Sequence, residues 1–456
     1  MLERFLNRVR GLLQGAVIIV FPEYGLMSTR LSRRRASVFM EPVPDPNTVS
    51  WNPCTDPGND TQVQNALSCI ATRNRLYVVA NIGGTEVCDP CRDPNCPFDE
   101  QYQYNTNVVF GPTGQLVARY RKYNLFMSEP IYNTPLTVDY TYFDTPYGRF
   151  GTFTCFDIAF REPAVTLIQN FSVQHIAFPT AWMNELPYYS AVTFHQGFAV
   201  GLGVNLLGSN LHDPSDDFCG SGLYGTNQTY AFRNDPTSNE SALIVDSILR
   251  SPIKIVPERT VFPDDLPNEV EFKSLIFEDL FNLVYLKSDS GMVSVCRNWL
   301  CCQLTYRREP GSEDVFALGA FRGLHTFEGR YYLEICTFLK CLNTSETPCS
   351  EDATASDAHF SFLNLTGNFT TSYVYPMVVT SGVDPSSGDW EYTGRSVVSH
   401  GTRKPLVSST MYGRRFDLED SEPDSSDVSM AGDRAPTSLP LIALIDISFG
   451  LFLFIL

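Results

Sequence analysis

The chain has 456 residues, of which 43% are hydrophobic and 18% are charged. This composition predicts a globular protein with a large core and two or three domains, and it excludes a chain that is disordered throughout. The formal net charge of -18 also argues against nucleic acid as a partner, because phosphate binding requires clustered lysines and arginines.

Cysteines and glycosylation motifs indicate a secreted protein. The 13 cysteines are many for a cytosolic enzyme of this size. Asn-x-Ser/Thr motifs, which are potential glycosylation sites, begin at Asn59, Asn170, Asn227, Asn239, Asn343, Asn364 and Asn368. Because the number of cysteines is odd, complete pairing in an oxidising compartment would leave one thiol, which can be reactive.

The first residues lack the run of about 7–15 apolar residues that a secretory signal contains. Residues 1–14 instead have apolar side chains at helical spacing between charges, which predicts an amphipathic helix. We expect that the chain as written starts late and that an upstream exon supplies the signal. An upstream in-frame methionine followed by an apolar run would support this expectation, and a mapped transcript that starts at Met1 would contradict it.

Apolar runs alternate with helical patterns up to about residue 252. Residues 16–23 are almost entirely apolar and predict a strand that is buried on both faces. Runs of the same kind follow at residues 76–83, 105–111, 148–157, 173–180 and 200–209. Residues 160–170 and 185–201 have apolar residues three and four positions apart, as in helices that cover a sheet. Residues 1–252 are therefore predicted to form an α/β domain.

The pattern changes at about Ile253 to short alternating runs rich in aromatic residues, β-branched residues and cysteine. These runs predict a smaller, β-rich domain over residues 253–410 that disulfides stabilise. Residues 411–438 are acidic, contain serine and proline, and have few large apolar side chains, which predicts a disordered linker.

An apolar tail occupies residues 439–456 and follows a stretch of small and polar residues. This layout is typical of a glycosylphosphatidylinositol (GPI) attachment signal, with Ser429 as the candidate attachment site. A membrane-spanning helix is the alternative, but the tail is shorter than the ~20 residues such a helix needs and contains Asp446. We therefore expect a GPI anchor in the extracellular face of the cell membrane, or a secreted form.

Three ionisable residues lie at the ends of predicted buried strands, where binding sites form in open α/β sheets. They are Glu23, Lys122 and Cys155. Taken alone, Glu23 is equally well explained as an exposed loop carboxylate. A cysteine in an apolar strand, such as Cys155, is more often a buried small side chain or half of a disulfide.

Together, the three residues are the set that amide cleavage by a thiol requires. A thiol with a pKa of about 8.5 is mostly protonated at neutral pH, so it needs a base and a positive neighbour. Glu23 can take the proton from Cys155 and return it to the leaving amine. Lys122 and the backbone N–H of Phe156 can stabilise the oxyanion, and helical amides after Cys155 can stabilise a thiolate.

The order Glu, Lys, Cys and the surrounding sequences FPEYG, KYNLF, FTCFD, FPTAW and GVNLLGSN resemble the vanin and biotinidase branch of the nitrilase superfamily. The resemblance extends from about Gly15 to Met411. It implies a nitrilase-type αββα sandwich, followed by a β-rich domain, that hydrolyses a linear amide of pantetheine or biotin through a cysteine thioester without a metal or cofactor. In this family Glu23 is the proton acceptor, Lys122 the proton donor and oxyanion partner, and Cys155 the nucleophile.

The resemblance also suggests three further residues of the substrate site. Glu129 matches a carboxylate that orients the substrate or the lysine, although an exposed loop glutamate explains it equally well. Thr180 and Trp182 are expected to line the pocket beside the thiol, and packing is the alternative role of Trp182. The resemblance implies a further strand of the sandwich before the start of this sequence, and we expect this form to lack that strand together with the signal peptide.

Other kinds of site fit the sequence less well. Cys88, Cys91 and Cys96 include the Cys-x-x-Cys spacing of zinc sites, but no histidine follows at ligand spacing, so disulfides are favoured. A Cys-His protease would pair Cys155 with a histidine, but none has a distinctive context among His175, His195 and His212. The GLG sequence at residues 201–203 lacks the third glycine and the acidic partner of a dinucleotide site.

The main alternative from another functional class is a catalytically inactive binding protein with the same fold at the cell surface. The intact set of Glu23, Lys122 and Cys155 argues against it. Transfer of the acyl group to an amine, in place of water, is a further possibility. The sequence does not distinguish pantetheine from a biotin amide, because the loops that contact the acyl group cannot be placed.

Overall fold

The computed structural model describes residues 15–27, 31–127, 129–252, 266–342, 349, 353–385, 389–419 and 452–454. The predicted N-terminal helix, most of the acidic linker and most of the apolar tail lie outside these ranges, as do Asn343 and Ser429. A search of these ranges finds no helix that is long and apolar enough to cross a membrane.

Eleven strands and four α-helices lie in the described part of residues 1–252. The strands are β1 (Ile18–Val20), β2 (Glu41–Pro42), β3 (Tyr77–Val87), β4 (Gln101–Phe110), β5 (Leu116–Arg121), β6 (Tyr142–Thr145), β7 (Gly148–Thr152), β8 (His175–Thr180), β9 (Asn205–Asn210), β10 (Ser221–Tyr224) and β11 (Thr229–Arg233). The α-helices are α1 (Arg33–Ala36), α2 (Gln62–Asn74), α3 (Thr166–Asn170) and α4 (Ala191–Leu202). Short helical turns of other types occur at Ser37–Phe39, Cys155–Ala159, Arg161–Val165 and Pro214–Asp216.

The rest of the described chain is almost entirely β-structure. Its strands are β12 (Phe272–Ile276), β13 (Asp279–Tyr285), β14 (Ser290–Arg297), β15 (Leu300–Arg308), β16 (Val315–His325), β17 (Tyr331–Cys341), β18 (Phe360–Gly367), β19 (Val374–Thr380), β20 (Asp384–Pro385), β21 (Trp390–Tyr392), β22 (Ser396–Ser399), β23 (Leu406–Arg414) and β24 (Phe452–Phe454). A helical turn at Phe416–Leu418 follows β23. The predicted linker therefore begins too early, because residues 411–414 belong to a buried strand.

Two six-stranded sheets face each other in the first domain. One has the order β24-β1-β3-β4-β5, with β2 beside β3, and the other has the order β11-β10-β9-β8-β7-β6. Apolar residues between the sheets form a core that includes Val20, Val79 and Leu207. Helix α2 packs on the outer face of the first sheet, and α3 and α4 pack on the outer face of the second. This order of layers confirms the predicted αββα sandwich.

The apolar run at residues 200–209 is not a single strand, and that prediction was wrong. Its first part is the end of α4, and Gly203 ends the helix in a left-handed conformation with φ of 67°. Strand β9 begins at Asn205. An uninterrupted apolar run fits both a buried helix and a buried strand, so the sequence pattern does not separate them.

The second domain is a β-sandwich, as the change of pattern predicts. A seven-stranded sheet has the order β12-β13-β16-β17-β23-β19-β20, and a five-stranded sheet has the order β14-β15-β18-β22-β21. Leu304, Phe338 and Phe360 belong to the core of this domain.

All 13 cysteines lie in the described ranges. Five disulfides join Cys54 to Cys69, Cys88 to Cys96, Cys296 to Cys301, Cys302 to Cys336 and Cys341 to Cys349. The other cysteines are thiols: Cys91 is exposed, and Cys155 and Cys219 are buried. The expectation of a single unpaired thiol is therefore wrong, whereas the preference for a disulfide over a zinc site at Cys88 and Cys96 is confirmed.

The two domains are packed against each other through α4 and β19. A Cβ atom at Gly197 would lie 2.8 Å from the carbonyl oxygen of Pro376, and one at Gly201 would lie 2.6 Å from that of Val374. Because side chains do not approach backbone so closely, this contact requires glycine at both positions. Arg414 of β23 also donates a hydrogen bond to the carbonyl of Ala159, at 2.7 Å.

Candidate active site

The structure brings Glu23, Lys122 and Cys155 together. Glu23 lies just after β1, Lys122 directly follows β5, and Cys155 follows β7. All three residues are buried, with exposed fractions of 1%, 1% and 7%. They line one cavity of about 550 Å³. The ends of β1, β5 and β7 therefore bring the three ionisable groups together.

Glu23 is held by three hydrogen bonds. Its Oε1 atom accepts from Lys122 Nζ at 2.8 Å and from Asn105 Nδ2 at 2.7 Å. Its Oε2 atom accepts from the backbone N–H of Ala181 at 2.9 Å. The Cys155 Sγ atom lies 3.5 Å from the carbonyl oxygen of the same Ala181. The backbone of Ala181 therefore positions both the carboxylate of Glu23 and the thiol of Cys155.

Glu129 is part of this cluster and is not an exposed loop residue. It is 4% exposed, and its Oε2 atom accepts from Lys122 Nζ at 2.6 Å. Its Oε1 atom accepts from the Tyr24 hydroxyl at 2.7 Å and from Asn105 Nδ2 at 2.8 Å. Lys122 thus lies between two buried carboxylates.

The two carboxylates differ in their proton affinity. Burial raises the pKa of Glu23 and outweighs the attraction of Lys122. Burial also opposes the ionisation of Glu129, but Lys122 and several hydrogen bonds outweigh it and lower the pKa of Glu129. The pKa of Lys122 is raised, because both carboxylates outweigh the effect of burial. Lys122 therefore stays charged with Glu129 as its ionised partner, and Glu23 is the better proton acceptor.

Cys155 begins a tight helical turn in a strained backbone conformation. Its φ of 47° is in the left-handed region, which side-chain-bearing residues seldom adopt and which is typical of functional sites. Asp157 fixes the turn, because its carboxylate accepts hydrogen bonds from the Thr154 N–H, the Tyr120 hydroxyl and the Asn124 N–H. Amides at the start of such a turn have no helical acceptor, so the N–H of Phe156 is suited to bind an oxyanion.

The sulfur of Cys155 is a thiol at neutral pH. Burial and the nearby Glu23 raise the pKa of Cys155 and outweigh the effect of Lys122. This shift opposes the formation of a thiolate, which the helical amides after Cys155 are expected to favour. A base is needed to remove the proton when the sulfur attacks.

The sequence matches two families of known proteins over most of its length. Residues 2–188 match the carbon-nitrogen hydrolase family, and residues 270–419 match the vanin C-terminal domain. The chain is 40% identical to a pantetheinase of Sus scrofa over 445 residues, which are 96% of this chain and 86% of that protein. It is 43% identical to a pantetheinase of Canis lupus familiaris (91% of this chain, 82% of that protein) and 38% identical to a biotinidase of Bos taurus (89% and 84%).

The chain belongs to the vanin and biotinidase family of carbon-nitrogen hydrolases. This result confirms the resemblance that the motifs indicate, and with it the predicted class of hydrolase, which acts on carbon-nitrogen bonds of linear amides. In this member of the family, the carbon-nitrogen hydrolase match ends shortly before α4, and the vanin C-terminal match begins just before β12.

The two remaining predicted pocket residues of this vanin-family chain differ in position. Trp182 lines the cavity, and its indole N–H donates to the carbonyl of Tyr189 at 2.7 Å. Thr180 is fully buried and is not among the residues that line the cavity.

The histidines do not support a Cys-His enzyme. Among the described residues that line the cavity there is no histidine. Burial lowers the pKa of His175 to about 4 and that of His195 to about 3, so both are neutral. His212 is hydrogen-bonded to the backbone carbonyl of Ser238. The described residues also contain no group of three or more His, Cys, Asp or Glu that could hold a metal ion.

The sequence reasoning missed several residues of the site. Asn105 binds both carboxylates, and its position in β4 shortly before the apolar residues 108–110 was a signal that could have identified it. Asp157 lies in the FTCFD motif but was not singled out. Glu328 and Tyr331 of the second domain also line the cavity, and nothing in their local sequence indicates this.

Proposed function

We propose that the chain hydrolyses the amide bond of pantetheine to pantothenate and cysteamine, with Cys155 as nucleophile, Glu23 as base and Lys122 as oxyanion partner. The observation that carries this proposal is that Glu23 accepts from the N–H of Ala181 and the sulfur of Cys155 contacts the carbonyl of the same residue, in a cavity that all three line. Pantetheine is preferred over biotin amides because the two pantetheinases are 40% and 43% identical to this chain, and the biotinidase is 38% identical.

Acylation begins when the sulfur of Cys155 attacks the amide carbonyl carbon and Glu23 takes the thiol proton. The new C–S bond moves an electron pair onto the carbonyl oxygen, where Lys122 and the N–H of Phe156 stabilise the negative charge. When the C–N bond breaks, Glu23 gives its proton to the nitrogen, and the amine leaves. An acyl thioester then remains on Cys155.

Deacylation reverses the roles of the same groups. Glu23 takes a proton from a water molecule that attacks the thioester, and the oxyanion forms again beside Lys122. The C–S bond breaks, the acid leaves, and the proton returns to the sulfur. Glu129 has no proton to transfer in this scheme, because it remains the ionised partner that keeps Lys122 charged.

The direct test is to incubate the protein with pantetheine and, separately, with biocytin. Cysteamine and lysine release are measured at neutral pH, and an acid-quenched sample is analysed by mass spectrometry of the Cys155 peptide. We expect cysteamine release and a pantothenoyl mass increment on Cys155. Release from biocytin alone would favour the biotin-amide alternative, and release from neither substrate by the folded protein would favour the inactive binding protein.

Glu23→Gln is expected to lower kcat/KM by about 10³-fold, because glutamine cannot accept the thiol proton. The glutamine carbonyl can still accept from Lys122 and Asn105, so the fold should be retained. In the unmodified enzyme, kcat/KM should fall as the pH drops through the raised pKa of Glu23, since only the ionised carboxylate is a base.

The pH profile of kcat/KM between pH 5 and 9 provides the measurement. The acid limb should disappear in Glu23→Gln. Glu309→Gln, which changes an exposed carboxylate of the second domain, is the matched control and should behave as the unmodified enzyme. More than about a tenth of the activity in Glu23→Gln would contradict the role of Glu23 as base.

We further propose that the protein is an extracellular glycoprotein with a GPI anchor at Ser429. The five disulfides support an oxidising compartment. Four glycosylation motifs have exposed asparagines, at Asn59, Asn170, Asn227 and Asn239, while Asn364 and Asn368 are half-buried. Release of the protein from cells by a phospholipase that cleaves GPI would support the anchor, and retention after this treatment would contradict it.

A further inference from the structure

The wall of the active-site cavity is acidic beyond the catalytic cluster. Lys122 is the one cation among the described residues that line the cavity, and Glu23 and Glu129 already contact it. The other carboxylates of the lining are Glu185, Asp216, Asp217 and Glu328. The described lining contains no second lysine or arginine, and Glu185 and Asp216 have partners of their own, so the inference rests on Glu328.

Glu328 is the carboxylate that the second domain contributes. It lies in the turn between β16 and β17, and its side chain is 14% exposed. The fully buried His325 holds it, with Nε2 at 3.4 Å from Glu328 Oε2 and Nδ1 at 2.8 Å from Asp279 Oδ2. The Tyr331 hydroxyl donates to the same Glu328 oxygen at 3.3 Å. In the described part of the chain, no hydrogen bond reaches Glu328 Oε1.

His325 is charged at neutral pH and therefore holds Glu328 as an ion pair. Burial opposes its protonation, but the hydrogen bond to Asp279 and the charges of Asp279 and Glu328 outweigh this effect and raise the pKa of His325 to about 9. A buried cation between two carboxylates fixes both in position. The second carboxylate, Asp279, is fully buried and is not part of the cavity lining.

We propose that Glu328 is a specificity-determining residue that makes the enzyme favour amides with an ammonium or other donor group away from the scissile bond, and disfavour those with a carboxylate there. His325 is its positioning residue. A fixed carboxylate in a shielded cavity attracts a cation or an N–H or O–H donor and repels an anion. This proposal rests on the proposed function in one respect, which is that this cavity is the substrate site.

The test uses probes that react with Cys155 and do not require turnover. The probes are iodoacetamide, its N-(2-aminoethyl) derivative, which is cationic, and N-(iodoacetyl)glycine, which is anionic. The sulfur displaces iodide from each, and the alkylation rate of the Cys155 peptide is measured by mass spectrometry. The exposed thiol of Cys91 in the same molecule reports the intrinsic reactivity of each probe.

We expect Cys155 to react faster with the cationic probe than with the anionic one, relative to Cys91. Glu328→Gln should lower this cation-to-anion ratio by about tenfold and leave the rate with neutral iodoacetamide nearly unchanged. An unchanged ratio in Glu328→Gln would overturn the proposal. Glu309→Gln, an exposed carboxylate outside the cavity, should retain the ratio of the unmodified enzyme.

His325→Gln tests the positioning role. It should lower the same ratio less than Glu328→Gln does, because the carboxylate remains but is no longer held by a charged partner. If the ratio in His325→Gln equals that of the unmodified enzyme, Glu328 needs no support from His325. That result would overturn the positioning role of His325. If His325→Gln does not fold, Glu328→Gln still decides the main proposal. Loss of pantetheine hydrolysis with the ratios intact would instead contradict only the proposed function.

Discussion

Cys155→Ala is expected to lower the rate of amide hydrolysis by about 10⁵-fold or more, because no other group can form the acyl intermediate. The effect on stability should be small, since the change removes one sulfur atom that contacts a backbone carbonyl. Cys155→Ser should also be inactive, because Glu23 would have to remove a proton from a far less acidic hydroxyl. The rate of cysteamine release from pantetheine measures the effect.

The chain offers a matched control in Cys219, its other buried thiol. Burial raises the pKa of Cys219 to about 11, and its sulfur is hydrogen-bonded to Asn234 at 3.1 Å. Cys219 does not line the cavity, so Cys219→Ala should keep full activity. Activity that survives in Cys155→Ala, or that is lost equally in Cys219→Ala, would contradict the assignment of the nucleophile.

The positions of Glu23 and Cys155 were predictable because each follows a run of apolar residues, whereas Lys122 follows a strand in which buried and half-buried residues alternate. A strand that is buried along its length must end where its first charged residue can reach a polar environment, and neighbouring strands end at a common edge. The family resemblance then added the chemical roles. The separation of the two domains was predictable for a related reason, since the hydrophobic pattern changes where the sandwich gives way to alternating β-strands.

The hydrogen bonds that hold the catalytic groups were not predictable, because they depend on strand register. In the antiparallel pair of β3 and β4, Asn81 is opposite Asn107. This register allows Asn81 to donate to Asn105 and Asn107, and Asn105 in turn contacts Glu23 and Glu129. A one-residue shift would turn these side chains to the other face, and no local pattern fixes the register.

The contribution of the second domain to the cavity lining could not be predicted from the sequence either. Glu328 lies far from the catalytic residues along the chain and reaches the cavity because the two domains pack against each other, in part through β19 and α4. The glycines at positions 197 and 201 permit this approach, but the sequence does not show which element they contact. Contacts between domains do not produce a periodicity in the hydrophobic pattern, so only the folded structure shows them.

Lys122→Met is expected to abolish hydrolysis and to lower the free energy of unfolding by about 3–5 kcal/mol. The reason for the second effect is that Glu23 and Glu129 would remain buried without their cation. Both carboxyl groups should then have a raised pKa in the folded state, and folding becomes less favourable as the pH rises through these values. The variant should therefore be more stable at pH 5 than at pH 7.5, as measured by urea denaturation at both values.

A second substitution separates the two roles of Lys122. In Lys122→Met combined with Glu129→Gln, one of the two unpaired charges is removed, so much of the lost stability should return. Activity should not return, because the oxyanion still lacks its cationic partner. The single variant could instead be as stable as the unmodified protein at pH 7.5. This result would mean that a proton shared by Glu23 and Glu129, and not an ion pair with Lys122, stabilises the two carboxyl groups. If the double variant regained activity, Lys122 would serve only to neutralise Glu129.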